Sequence, residues 1–174
     1  MYLTIMNVSD HQDESVIHSE VMQRVTNIED ERILYRRMNE NTVLIQSKHP
    51  LTGNDLIQRT SLFFAKNGDE REISIVCHPS CKTKSKRRTL PKNKWIDYLK
   101  QQGEQFGFSV GEDMTAMPYR KVNVGKHDYV FQSVLYRGSV KITDAEKFKE
   151  MISKGIGPNK AFGCGLPLVY FKTA

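Results

Sequence analysis

The chain has 174 residues, enough for one domain or two small ones, and 39% of them are hydrophobic. It has no run of 18 apolar residues and no basic stretch leading into an apolar one at the N-terminus, so neither a membrane span nor a signal peptide is expected. Three cysteines, an odd count, fit a reduced, cytoplasmic protein. The net charge of +6 is unevenly placed: residues 1–72 hold 8 Lys/Arg against 12 Asp/Glu, and residues 73–174 hold 18 against 8. Capacity to bind a polyanion therefore lies in the second half.

In chain order, Met1 to Asn7 reads as a strand, followed by a polar loop. Ser15 or Asp13 is placed to cap a helix from about Val16 to Val25, with Ile17, Val21 and Val25 as its buried stripe. Glu29-Asp30-Glu31 reads as a solvated turn. Ile33 to Met38 and Thr42 to Ser47 read as a hairpin, Pro50 to Gly53 breaks the chain, and Asp55 to Phe64 fits a short helix or a strand equally well. Asn67-Gly68-Asp69 is the best linker. Two units follow, 1–68 and 72–174.

The second unit opens with the strand Ile73 to Cys77 and a basic loop over 79–94. Pro91 precedes a helix whose face carries Trp95, Leu99, Gln102 and Phe106, and Gly107 ends it. Tyr119 to Val124 and Tyr129 to Val140 read as paired strands. Thr143-Asp144-Ala145-Glu146 is a capping box for a helix with Ala145, Phe148, Met151 and Ile152 inward, and Leu166 to Phe171 closes the chain as a strand. Each half reads approximately β-α-β-β-(α)-β. The fold class is α+β, with two tandem ferredoxin-like domains of the βαββαβ type also found in RNA-recognition motifs.

Three features carry chemistry. The basic loop holds Lys82, Lys84, Lys86, Arg87, Arg88, Lys92 and Lys94, with no acid between Glu72 and Asp97. Seven cations without a carboxylate repel one another unless an anion such as phosphate is present; a solvated loop is the bland alternative. The stretch Gly155 to Leu166 carries Gly155, Gly157, Gly163 and Gly165 around Lys160. One glycine suffices to stop a helix; four beside a lysine suit a backbone that approaches phosphate closely. No Walker pattern is present, because no Gly-Lys-Ser/Thr follows. His18, one position off the apolar stripe of the first helix, is a single imidazole that titrates near neutrality and suits proton transfer. By itself an isolated histidine is more often structural. Arg24, further along, is a candidate for stabilising a phosphorane, with a solvated arginine equally open. Cys77-His78-x2-Cys81 hints at metal but lacks the four ligands of a structural zinc site, so no metal and no cofactor is expected. His49 and His127 carry no pattern.

The run Val134-Leu135-Tyr136-Arg137-Gly138-Ser139-Val140-Lys141-Ile142-Thr143-Asp144, then the helix, then Gly155 to Leu166, resembles the ending of CasE proteins. These are the CRISPR RNA-processing endoribonucleases of type I-E systems, in the RAMP superfamily. Met1-Tyr2-Leu3, Ile33-Leu34-Tyr35-Arg36, Leu44-Ile45-Gln46-Ser47, Cys77-His78-Pro79 and Leu90-Pro91 agree with it. The resemblance implies the double ferredoxin-like fold. It implies metal-independent cleavage of a CRISPR repeat RNA at the base of its hairpin, with His18 at the matching catalytic position. It also implies that the basic region guides the hairpin, and that the enzyme keeps its product as a subunit of the type I-E effector complex. Ser15 departs from the family, which often has tyrosine there. An inactive hairpin-binding protein of the same fold is the alternative, and a basic adaptor acting through protein contacts is the third reading.

Overall fold

A computed structural model describes residues 1–9, 12–26, 32–83, 86–125 and 129–171. Two antiparallel sheets carry the fold. The first is built from β1 (Tyr2–Asn7), β2 (Leu34–Arg37), β3 (Thr42–Ser47) and β4 (Ile57–Thr60), in the order β2-β3-β1-β4. The segment left open between helix and strand is thus the edge strand β4, which pairs Tyr2 with Thr60 and Ile5 with Ile57. One helix, α1 (Glu14–Met22), covers this sheet; no second helix forms between β3 and β4. Asp13 caps α1 by accepting from the Ser15 amide at 2.9 Å, and Ser15 gives its hydroxyl to the same carboxylate at 2.7 Å. Ile17 and Val21 pack inward with Met6, Tyr35, Val43 and Ile45. Val25 joins that core from beyond the helix end.

The second sheet contains β5 (Glu70–Cys77), then β8 (Phe108–Val110), β9 (Thr115–Val124), β10 (Tyr129–Ile142) and β11 (Pro167–Phe171). Its order is β11-β5-β10-β8, with β9 also on β10, so β8 and β9 share the place of one ferredoxin strand. Helices α2 (Trp95–Phe106) and α3 (Ala145–Lys154) cover one face, burying Leu99, Phe148 and Met151 against Ile73, Ile75, Val134 and Tyr136. Gly107 ends α2 in the left-handed conformation, φ 72°. Asp144, not Thr143, caps α3, accepting from the Glu146 and Lys147 amides at 3.2 and 3.1 Å. Its shorter carboxylate reaches two orphan amides at once, and Glu146 turns away to Lys149, 2.8 Å. Both sheets have the strand order of a ferredoxin-like domain, so the α+β double fold is observed. Among the described residues no helix is long and apolar enough to cross a membrane.

The segment read as a basic loop is a third, two-stranded sheet: β6 (Ser80–Thr83) pairs with β7 (Lys86–Thr89). Asn67-Gly68-Asp69 lies between the two large sheets but is tied down. Asn67 accepts from the Ala145 amide at 2.7 Å, and the Gly68 amide donates to the Ile142 carbonyl at 2.7 Å.

Candidate active site

The two halves meet where α1 faces the segment after α3. A cleft of about 470 Å³ there is lined by His18, Met22, Arg32 and Ile33 of the first half and by residues 157–161 of the second. His18 projects from the middle of α1, half-buried, because its position adjoins the Ile17–Val21 stripe. Its ring stacks beside Tyr35 at 6.5 Å and meets the edge of Phe162 at 6.3 Å. Burial lowers its pKa, since the imidazolium loses hydration without gaining a carboxylate. Lys160 is also half-buried in the cleft, and its pKa is lowered first by burial and then by the Arg32 charge. The cleft therefore offers one imidazole that favours its neutral form and two cations.

Behind the cleft lies a buried network. Tyr35 donates its hydroxyl proton to Glu14 Oε1 at 3.0 Å, and the Ala161 carbonyl lies 3.1 Å from the same hydroxyl. Glu14 pairs with Arg37 at 3.7 Å, both 3% exposed. Burial raises the Glu14 pKa, opposed by the Tyr35 bond and then by the Arg37 charge. The network fixes α1, β2 and the glycine segment to one another.

The four glycines have different positions. Gly155 and Gly165 are buried and hold the ends of the segment rather than facing the cleft. Gly155 ends α3 at φ 72°, and a Cβ there would lie 2.7 Å from Leu34 Cδ2. The Gly165 amide donates to the Val76 carbonyl at 2.7 Å, and its own carbonyl accepts from Ile156 at 3.0 Å. Gly157 lines the cleft. Gly163 (φ 76°) ends a short 3-10 turn over Lys160–Phe162, where a Cβ would sit 3.2 Å from Glu14 Oε1. The expected phosphate-facing roles of Gly155 and Gly165 are thus corrected to supporting ones, because their backbone is covered by protein.

Arg24 also departs from expectation. Helix α1 has ended before it, and its guanidinium pairs with Asp55 at 3.2 Å instead of lining the cleft. Ser15 likewise is absent from the lining and engages Asp13. Arg32, not singled out from the sequence, is in the cleft and donates to the Lys154 carbonyl at 3.2 Å. Its signal was masked by the acidic run before it.

In the hairpin, Lys82 stands opposite Arg87 and Cys81 opposite Arg88, with all four exposed. Like charges directly across two strands are destabilising, so this pairing favours a bound anion. Lys84 lies outside the described residues, as do His127 and the side chain of Lys86. Among the described residues no group of three or more His, Cys, Asp and Glu could hold a metal ion. Cys77 is buried, its thiol pushed up to about 12 by burial, whereas Cys81 is exposed.

Fold and cleft define a tandem ferredoxin-like protein with a cationic, imidazole-bearing cleft between its halves and a basic hairpin on the second. The family model described as CRISPR associated protein matches residues 2–170, and the chain belongs to that family, in agreement with its resemblance to CasE proteins. The structure is similar to that of Thermus thermophilus Cse3 bound to an RNA representing a pre-cleavage complex, with TM-score 0.82 and 21% identity over 97% of this chain and 98% of that one. It is similar to CRISPR-associated Cas6e from Escherichia coli, with TM-score 0.78 and 19% identity over 99% and 100%. A chain of the E. coli Cascade bound to a PAM-containing dsDNA target matches with TM-score 0.71 and 19% identity over 99% and 100%. No curated protein matches the chain. At these identities the likeness to solved structures is one of fold.

Proposed function

We propose that the protein is a metal-independent endoribonuclease that cuts CRISPR precursor RNA at the base of the repeat hairpin. The observation that carries this reading is the meeting of His18 and Lys160, from opposite halves, in one cleft. The domains divide the work as 1–68, which supplies His18, and 72–174, which supplies phosphate contacts through Lys82, Lys84, Lys86, Arg87, Arg88 and Lys160.

Neutral His18 takes the proton from a ribose 2′-OH, and the 2′-oxygen attacks the adjacent phosphorus. The bond from phosphorus to the 5′-oxygen breaks and that oxygen takes a proton from solvent or from the His18 imidazolium, leaving a 5′-OH and a 2′,3′-cyclic phosphate, which water can open to a 3′-phosphate. Lys160 and Arg32 offset the charge that builds on the non-bridging oxygens. Holding the 2′-oxygen, phosphorus and leaving oxygen in line supplies much of the rate. The relatives include one bound to RNA and one within Cascade; by analogy, this protein keeps the product hairpin as a subunit of its effector complex.

The test is incubation with a repeat hairpin RNA in EDTA. Cleavage at the hairpin base with a cyclic-phosphate or 3′-phosphate end and a 5′-OH is expected; activity that vanishes with EDTA and returns with Mg²⁺ overturns the reading. A second reading, an inactive hairpin-binding protein, is favoured by the Ser15 hydroxyl, which stands at the position of the family tyrosine and donates to Asp13. It predicts tight binding without any cut.

A further inference from the structure

His78 is 1% exposed, yet it lies between two parts of the RNA site. Its ring stacks on Phe131 at 4.5 Å. On one side, Nε2 is 2.9 Å from Oγ1 of Thr89, the last residue of β7 in the basic hairpin. On the other side, the Asn159 amide Nδ2 donates to Nδ1 at 2.8 Å. Tyr129 adds its hydroxyl at 3.5 Å from Nδ1, and Asn159 Nδ2 also reaches that hydroxyl at 3.4 Å. Because Nδ1 must accept from Asn159, the ring proton is on Nε2 and is donated to Thr89.

Asn159 is the residue before Lys160. It has φ 60°, the only non-glycine residue with positive φ among the described residues. Asparagine tolerates this left-handed conformation better than most residues but still needs fixing. The Asn159 carbonyl accepts from the Phe162 amide at 3.0 Å and lies 3.4 Å from that of Cys164, so its backbone sets the turn that places Lys160 in the cleft.

We infer that His78 is a positioning residue: through its Nδ1 it fixes Asn159, and thereby Lys160, while its Nε2 ties the same ring to the basic hairpin. The two RNA-facing elements are thus held in one frame, and hairpin seating and cleft geometry are coupled through a single buried imidazole. Burial, reinforced by the nearby Arg87 charge, pushes its pKa down to about 4, so the ring is neutral at pH 7 and the Nδ1 lone pair is available. This inference rests on the endoribonuclease reading for its catalytic consequence, but the geometry of the turn stands apart from it.

Asparagine and glutamine separate the two sides of the ring. His78→Asn retains an acceptor near Nδ1 and loses the donor to Thr89; His78→Gln retains a donor near Nε2 and loses the acceptor for Asn159. Both lose the stacking on Phe131 equally. Single-turnover cleavage at saturating protein should stay within about 5-fold of wild type in His78→Asn and fall about 10-fold or more in His78→Gln. Asn159→Ala should behave as His78→Gln does. Hairpin affinity should fall by no more than the about 5-fold that loss of the Lys160 contact alone would cause, since the contacts of the basic hairpin remain.

A second readout needs no RNA. In the free protein, exchange of the Phe162 amide should be about 10-fold faster in His78→Gln than in His78→Asn. Equal cleavage and equal exchange in the two variants overturn the inference. If wild type cuts no repeat hairpin while exchange still separates the variants, the endoribonuclease reading fails and the positioning role stands.

Discussion

His18 draws its chemistry from being half out of water. Without a carboxylate partner among the described residues, burial favours the neutral ring, the form that accepts a proton. His18→Ala should lower single-turnover cleavage by ~10²-fold or more while hairpin affinity holds, the usual scale for general acid–base catalysis. The pH profile of kcat/KM reports the free enzyme. With neutral His18 as base it should rise with pH, with its midpoint below the ordinary imidazole value of about 6.5. A midpoint above that value contradicts the assignment. His78 makes an independent demand on stability. Its folded pKa of about 4 lies below its unfolded value, so the unfolded chain takes up the proton first. The stability it contributes is present above about pH 6.5 and is lost as pH falls toward 4, at up to ~1.4 kcal/mol per pH unit. Urea denaturation of His78→Asn between pH 7 and 4.5 should show a flatter decline than wild type.

At the scale of elements, the β6–β7 hairpin and the glycine segment invite different tests. Replacing Lys86, Arg87 and Arg88 by alanine should weaken hairpin RNA binding and flatten its salt dependence, by ~0.7–0.9 in slope for each lost phosphate contact. An unchanged slope of log K against log salt would show a merely solvated surface. In the glycine segment, Lys160→Ala should leave the melting temperature unchanged and reduce RNA affinity by about 1 kcal/mol, whereas Gly163→Ala should lower the melting temperature through its left-handed φ. Equal RNA binding by Lys160→Ala and wild type would make the segment purely structural. The sequence shows the segment as a unit but not this division, because four glycines look alike until Leu34, Glu14 and Val76 are brought against three of them. The hairpin was hidden for a physical reason: its strands have no apolar face, so nothing alternates in Ser80–Thr83 or Lys86–Thr89. Strands with a buried face, such as β5 and β10, were legible from their β-branched and aromatic residues. Arg24 misled because the helical stripe of Ile17, Val21 and Val25 ran on in sequence past the point where α1 stops.

For the whole molecule, the uneven charge has a structural counterpart. The acidic half presents the imidazole and the basic half presents Lys160, so the cleft exists only while the two sheets are held together. Polar contacts join them at several points. Gln46 donates to the Ile152 carbonyl at 2.6 Å, Tyr119 to the Arg37 carbonyl at 2.6 Å, and Arg36 to Ser74 Oγ at 2.9 Å. Arg36 is 7% exposed and lies over the Tyr119 ring at 5.4 Å, so its guanidinium connects β2 to both β5 and β9. The second sheet also buries Val76, Val122, Val124 and Phe131 on the face away from α2 and α3, packed with Cys164 and Phe162 of the glycine segment. All of these residues belong to the second half, so this cluster anchors the glycine segment to its own sheet, and the polar contacts above join it to the first half. Arg36→Ala removes a hydrogen bond from a charged donor and leaves the Ser74 hydroxyl to find another partner. It should cost about 1.5–3 kcal/mol. Because Arg36 ties β2 to β5 and β9 at once, that loss should appear as a shift of one cooperative transition. Calorimetry of Arg36→Ala checks this: two resolved transitions, or a melting temperature equal to that of wild type, would mean that the halves are joined loosely and that the cleft is not a fixed feature of the fold.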